Sequence, residues 1–238
     1  MENKTNFCEE DISELKDGLT PFPEEVFVAE QSWLNDCFLP LISVDLGILR
    51  TDLAGTVVHF LNPVEPADGL LGEETEEFHN EFCAENWIAF KLTTDNKYNF
   101  LADKDYFLSL SECDEDLAEH IQTMRDTFQT VKSKYKEKGQ LLSWQDYPDA
   151  LNFIDRLDGE ILGGNWVDTV DIPSAFEMNF ETPPEDSDSD GISISYQGKE
   201  LMYVGEVAGY NYCSEGADAI MIFYEPENRI VLFTYDWS

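Results

Sequence analysis

Two stretches of this chain place side chains at spacings that chemistry uses. Asp186-Ser187-Asp188-Ser189-Asp190-Gly191 has the Asp-x-Asp-x-Asp-Gly spacing of a calcium loop. In such a loop, carboxylates at alternate positions converge on a hard cation and the glycine permits a sharp turn. The rest of that motif departs here: its twelfth position is Gln197 instead of a bidentate Glu, and Pro183-Pro184 opposes an entering helix. An acidic connection without a metal is the expected reading. His79 and Cys83, with Glu76 nearby, would share one helical face as zinc ligands, but no further His or Cys cluster completes a site.

The densest acidic stretch runs from Asp68 to Glu85. It contains Asp68, Glu73, Glu74, Glu76, Glu77, Glu81 and Glu85 and no Lys or Arg, with Phe78, Phe82 and Trp87 interleaved. Two readings stand side by side. One is a solvated amphipathic helix whose aromatics face the core. The other is a docking surface, in which carboxylates steer a basic partner into register and an exposed aromatic anchors it. Leu162-Gly163-Gly164-Asn165-Trp166-Val167 likewise fits either a tight turn packed under its own tryptophan or the floor of a small-ligand pocket.

No nucleophile is singled out. The chain lacks Gly-x-Ser-x-Gly, a Walker loop and a dinucleotide fingerprint, and His59 and His120 fall in a predicted strand and a predicted helix. With so many carboxylates, an acid–base pair arises by chance and carries no information. The expectation is a protein that is not an enzyme and uses no cofactor.

The elements that must position these groups start from an unusual composition. Fifty Asp and Glu against 14 Lys and Arg give a formal charge of −36 on 238 residues. Such an excess repels nucleic acid and anionic membranes and attracts basic partners. It does not imply disorder, because 42% of residues are apolar and 13% aromatic, enough for a core. The polar, acidic start from Met1 to Asp11 lacks a secretory pattern, and no apolar window is long enough to cross a membrane. Five scattered cysteines, Cys8, Cys37, Cys83, Cys113 and Cys213, form no disulfide framework, so a reduced, cytoplasmic protein is expected.

Leu39 to Leu46 reads as a buried strand and Gly55 to Leu61 as its neighbour, stopped by Asn62-Pro63. The same shape recurs in Leu201 to Gly209 followed by Asp218 to Pro226, each copy ending in Phe-x-x-Pro. The segments 38–63 and 200–226 are therefore read as related halves of a single domain spanning 1–238. Arg229 to Tyr235 adds a further strand. Between the halves, Leu117, Ile121, Met124, Phe128, Val131 and Tyr135 fall on one helical face. Acids at 114–116, lysines at 132, 134, 136 and 138, and Gly139 match the dipole and the C-terminal stop of a helix over 114–138. That stripe fits packing on the protein's own sheet, with a partner helix as the alternative.

Ile161 to Val167 resembles the Leu-Gly-Gly-x-Pro-x-Trp segment of the YwqG-like family. Leu201 to Val207 and Gly216 to Phe223 are similar to that family's following strands, and Pro40 to Phe60 looks like its earlier copy. The likeness covers residues 38–63 and 160–238. Asn165 precedes the Trp where the family has a Pro-containing spacer, and Glu206 stands where Gln is usual. The resemblance implies an α+β fold and includes immunity proteins, encoded beside bacterial toxins, among its relatives.

The composite expectation is an α+β domain with a mixed, mainly antiparallel sheet covered by helices. Its expected role is that of an acidic immunity protein occluding the active site of a basic toxin or effector. Glu73, Glu74, Glu76, Glu77 and Glu81 are the first candidates for contact, and Asp186, Asp188 and Asp190 the second. A small-ligand YwqG-like domain with a pocket near Trp166 is the alternative.

Overall fold

A computed structural model describes residues 8–168, 170–181 and 191–237. Seven strands make a central sheet: β1 (Cys8–Ile12), β5 (Trp87–Leu92), β6 (Tyr98–Phe100), β7 (Ile154–Asp158), β11 (Met202–Val207), β12 (Ala219–Glu225) and β13 (Ile230–Asp236). Their spatial order is β1-β7-β11-β12-β13-β5-β6. A second sheet holds β2 (Leu19–Pro21), β3 (Phe38–Asp45) and β4 (Val57–Pro63), and a third β10 (Lys199–Glu200), β9 (Ile192–Tyr196) and β8 (Phe176–Phe180). The helices are α1 (Leu108–Ser111), α2 (Glu115–Lys138) and α3 (Asn165–Asp168). The fold is α+β, as expected. Its ladders are antiparallel, so the expected mixed sheet reduces to one isolated parallel bridge, Phe27 with Tyr98.

The middle strands are apolar on both faces, which explains why they read as continuous hydrophobic runs. Side chains of a strand alternate between faces. Ile88, Phe90, Ile220, Ile222, Val231 and Phe233 enter one core. Their neighbours Trp87, Ala89, Met221, Phe223, Ile230 and Leu232 enter another. The first core is completed by β3, β4 and the Met124, Phe128 and Val131 stripe of α2. The second is completed by the β8–β10 sheet and Trp166.

The two segments read as related are both antiparallel strand pairs with a register shift, between Pro40 and Ile42 in one and between Tyr203 and Gly205 in the other. They belong to different sheets, and β4 lies against β12. The irregularity at Gly205 has a steric cause, since a Cβ there would collide with the Arg156 carbonyl of β7. Helix α2 begins where the sequence places it. Asp114 caps it by accepting from the Leu117 amide at 2.8 Å, and Gly139, at φ 71°, closes it through its amide to the Tyr135 carbonyl. Among the described residues, no helix is long and apolar enough to cross a membrane.

Candidate functional site: an acidic cleft at the start of α2

The acidic stretch is not one long helix. A short 3-10 helix, Glu73–Phe78, is broken at Thr75, and the chain on either side is irregular. Carboxylates and aromatics nonetheless separate cleanly. Glu73, Glu74, Glu76, Glu77 and Glu81 are exposed, Phe78 and Phe82 are half-buried, and Trp87 is buried. Phe82 lies edge-on to Phe176 of β8, with ring centroids 6.4 Å apart, and is 6.2 Å from Tyr196 of β9. The anchoring aromatic expected of a docking surface is therefore turned inward.

The segment is fixed from beneath. The Thr75 hydroxyl donates to the Tyr106 carbonyl at 2.8 Å, and the buried Tyr106 hydroxyl donates to the Ala84 carbonyl at 2.8 Å. Gly72 has a φ of 80°, and a Cβ on it would stand 2.6 Å from that hydroxyl, so the tyrosine and the glycine require each other. The Glu73 carboxylate accepts from the Leu70 amide at 3.0 Å, and Asp68 accepts from the Gly69 amide at 3.0 Å.

This platform forms one wall of a cleft of about 370 Å³, within the size range of small-molecule and side-chain pockets. Asp68, Glu73 and Glu74 contribute from this wall, and Glu112, Asp114 and Asp116 from the junction of α1 and α2. Leu70, Leu108 and Leu117 supply apolar surface between them. Glu65 lies deepest, 3% exposed, with its two oxygens accepting from the Leu108 amide at 2.9 Å and the Ser109 amide at 2.7 Å. Burial pushes its carboxyl up, an effect the Ser109 and Leu108 donors oppose. Among the described residues, no Lys, Arg or His lines the cleft. Glu85, half-buried below the platform, is also pushed up, by burial first and then by its negative neighbours Glu73 and Glu76.

Cations are engaged elsewhere. Arg125 reaches the Asp36 carbonyl at 2.7 Å, Lys132 pairs with Glu24 at 3.4 Å, and Arg156 pairs with Glu10 at 3.0 Å. Lys16 pairs with Glu9, Lys97 with Glu25, Arg50 with Asp52 and Lys199 with Glu227. Lys91 and Arg229 donate to backbone carbonyls. A second depression, about 420 Å³ around Arg50 and Lys199, contains both signs of charge already paired. Exposed pairs of this kind add little stability. Their consequence here is electrostatic: the paired cations are neutralised locally and, with 50 Asp and Glu against 14 Lys and Arg, the surplus carboxylates set the outer field.

The other candidate residues are placed as follows. Glu76, Glu77 and Glu81 lie outside the cleft, Glu76 near Glu85 and Glu81 beside β8, where the Ala175 amide donates to its carbonyl at 2.8 Å. Asp186, Asp188 and Asp190 lie outside the described residues. His79 donates to the Gly72 carbonyl at 2.9 Å, while Cys83 is buried and its thiol pushed up to about 12 by burial. Among the described residues, no three His, Cys, Asp or Glu side chains converge as a metal cage. Trp166 is 1% exposed, packs edge-on to Trp87 at 5.8 Å, and lines neither depression. Gly164 beside it is a close-approach glycine, because a Cβ would collide with the Asp236 carboxylate.

Glu65, Glu112, Asp114 and Asp116 are the cleft residues that sequence reasoning did not join to Glu73 and Glu74. Residues 114–116 are legible as a helix start, but no spacing brings them beside 73–74. Comparison with protein families, with characterised proteins and with solved structures gave no match for this chain.

Proposed function

We propose that this protein is a binding protein for a basic protein partner, of the immunity type, which neutralises a basic bacterial toxin by occluding its active site. One observation carries the reading. Carboxylates from two separate parts of the chain flank apolar surface in a cleft that no Lys, Arg or His lines among the described residues. A Lys or Arg side chain matches that arrangement, with its aliphatic stem on Leu70, Leu108 and Leu117 and its charged head among the acids. Toxins that act on nucleic acid or other anions carry basic catalytic surfaces. A strongly negative inhibitor would associate with them fast and compete with the substrate.

The test is a pull-down from the source cells at low salt with the unaltered protein and with a Glu73→Lys/Glu74→Lys variant, both eluted by rising salt. The expected result is one basic protein at near-equal stoichiometry, released by salt and missing from the variant. Equal recovery by both would remove the cleft as the contact site. Recovery of only a mixture of abundant basic proteins would reduce the charge to nonspecific attraction.

A further inference from the structure

Among the described residues the three sheets have six edges, and five of them are covered or blunted. Strand β6 is covered by residues 26–28, which exchange hydrogen bonds with Tyr98 at 2.8 and 3.0 Å. Strand β4 is buried, and its His59 amide and carbonyl are both held by the Tyr98 hydroxyl. Strand β2 is three residues long and ends in Pro21; β10 is two residues long and carries Lys199. Strand β1 presents Glu9, Glu10 and Asp11 in succession. These are the usual devices against unwanted strand pairing.

Strand β8, Phe176-Glu177-Met178-Asn179-Phe180, is the least guarded of the six: its five residues include no proline, no glycine and no lysine, and a single acid, Glu177. Its register with β9 fixes which backbone groups are used. The Glu181 amide donates to the Gly191 carbonyl at 2.7 Å, and Glu177 and Asn179 stand opposite Ser195 and Ser193. By the alternation of an antiparallel ladder, the amides and carbonyls of Met178 and Phe180 turn away from β9. No other strand among the described residues lies beside them. The side chains at this edge have two characters. Met178 is half-buried on the second core and Phe180, two residues on and so on the same face of the strand, is 63% exposed, while Glu177 and Glu181 are exposed. Phe82 and the Glu81 carbonyl join β8 to the acidic stretch, so the edge continues that surface.

We infer that β8 accepts an extended segment of a basic protein partner as an added strand. Lysine or arginine at alternate positions would face Glu177 and Glu181, and the residues between would cover Met178 and Phe180. The inference rests on the basic-partner reading and adds its mode of recognition: main-chain hydrogen bonds give affinity, and alternate side chains give selectivity. A second copy of this chain is the wrong occupant, because pairing two β8 edges would bring two molecules of charge −36 together.

Three heptapeptides test it at low salt: alternating Lys and Val, the same peptide N-methylated at alternate residues, and alternating Lys and Gly of equal charge. Fluorescence polarisation should show the Lys–Val peptide binding at least about tenfold tighter than the other two. Amide exchange at Met178 and Phe180 should slow on binding. Met178→Pro, which removes an outward amide that β9 does not use, should abolish the advantage; Phe180→Ala should reduce it. If Met178→Pro proves unfolded by circular dichroism, the exchange measurement on the unaltered protein decides. Equal binding of all three peptides with no change in exchange would overturn the added strand while leaving charge attraction intact. Failure of every basic peptide to bind would overturn the basic-partner reading as well.

Discussion

The two ends of α2 use charge in opposite ways. At its start, Glu112, Asp114 and Asp116 face Glu73 and Glu74 across a cleft with no cation in its walls among the described residues. At its other end, Lys134 donates to the carbonyls of Ser143, Trp144 and Gln145 at 2.9, 3.1 and 2.8 Å, and Lys132 reaches Glu24 at 3.4 Å. One end leaves like charges side by side facing solvent. The other uses its charges to tie down a loop. Local packing accounts for Lys132 and Lys134, and capping and the helix dipole account for Asp114 and Asp116, but neither brings Glu74 and Glu112 to the same cleft. That asymmetry makes the acidic end the candidate for contact with a partner and the lysine end a structural support.

The sharpest break of this comparison is charge reversal at the acidic end. Glu73→Lys/Glu74→Lys should weaken binding of the captured partner about a hundredfold, about 3 kcal/mol, and flatten its salt dependence. Isothermal titration at two ionic strengths reads both, and unchanged affinity would dissolve the distinction between the two ends.

Acid separates surface charge from interior charge. His59, buried on β4, accepts from the Ser43 hydroxyl at Nδ1 (2.7 Å) and donates from Nε2 to the Asn96 carbonyl (2.7 Å). Burial lowers its pKa to about 4, against the small opposing pull of the Asn96 carbonyl. The unfolded chain therefore takes up this proton first as pH falls. His59 contributes stability above its unfolded pKa near 6.5 and loses it as pH falls towards about 4, by up to about 3 kcal/mol. Glu65 and Asp155, pushed up by burial, have the opposite sign and gain relative stability as pH falls. The quantity to read is thus the difference in urea midpoint between the unaltered protein and His59→Gln. That difference should shrink as pH falls from 7 to 4.5; a constant difference would show that His59 does not titrate in this window.

At the lysine end, Lys134→Met keeps most of the aliphatic stem and removes three donated hydrogen bonds. A loss of about 2 kcal/mol in unfolding free energy is expected, with partner affinity unchanged. A drop in affinity without a drop in stability would reverse the roles assigned to the two ends. The smallest effect belongs to Asp114, which both lines the cleft and caps α2. Asp114→Ala should cost about 1 kcal/mol of stability by chemical denaturation. It should weaken partner binding far less than the double reversal.

Much of the architecture is legible because it is written in local periodicity. The 4-3-4-3-4 spacing from Leu117 to Tyr135 shows the face of α2 that is buried or half-buried, and Asp114 and Gly139 mark its ends. The runs at 39–46, 55–61, 201–209 and 218–226 appear as β3, β4, β11 and β12 within a residue or two. The acidic stretch is harder. Its interleaved aromatics imply a helix, yet Gly72, held to Tyr106, and the break at Thr75 limit it to six residues. Strand β8, with exposed Glu177, Asn179 and Phe180, carries too little hydrophobic contrast to stand out before β9 is seen beside it.

By itself, the sequence determined the α+β class, the limits of α2, the main strands and the large negative charge, because each follows from residue type and short-range spacing. Tertiary structure alone decided that Glu73 and Glu74 meet Glu112, Asp114 and Asp116, that Trp166 is a core residue, and that no strand among the described residues lies on the outer edge of β8. These facts depend on which distant segments pack together. That choice is made by burying both faces of the central sheet at once, and it has no signature within any single stretch of chain.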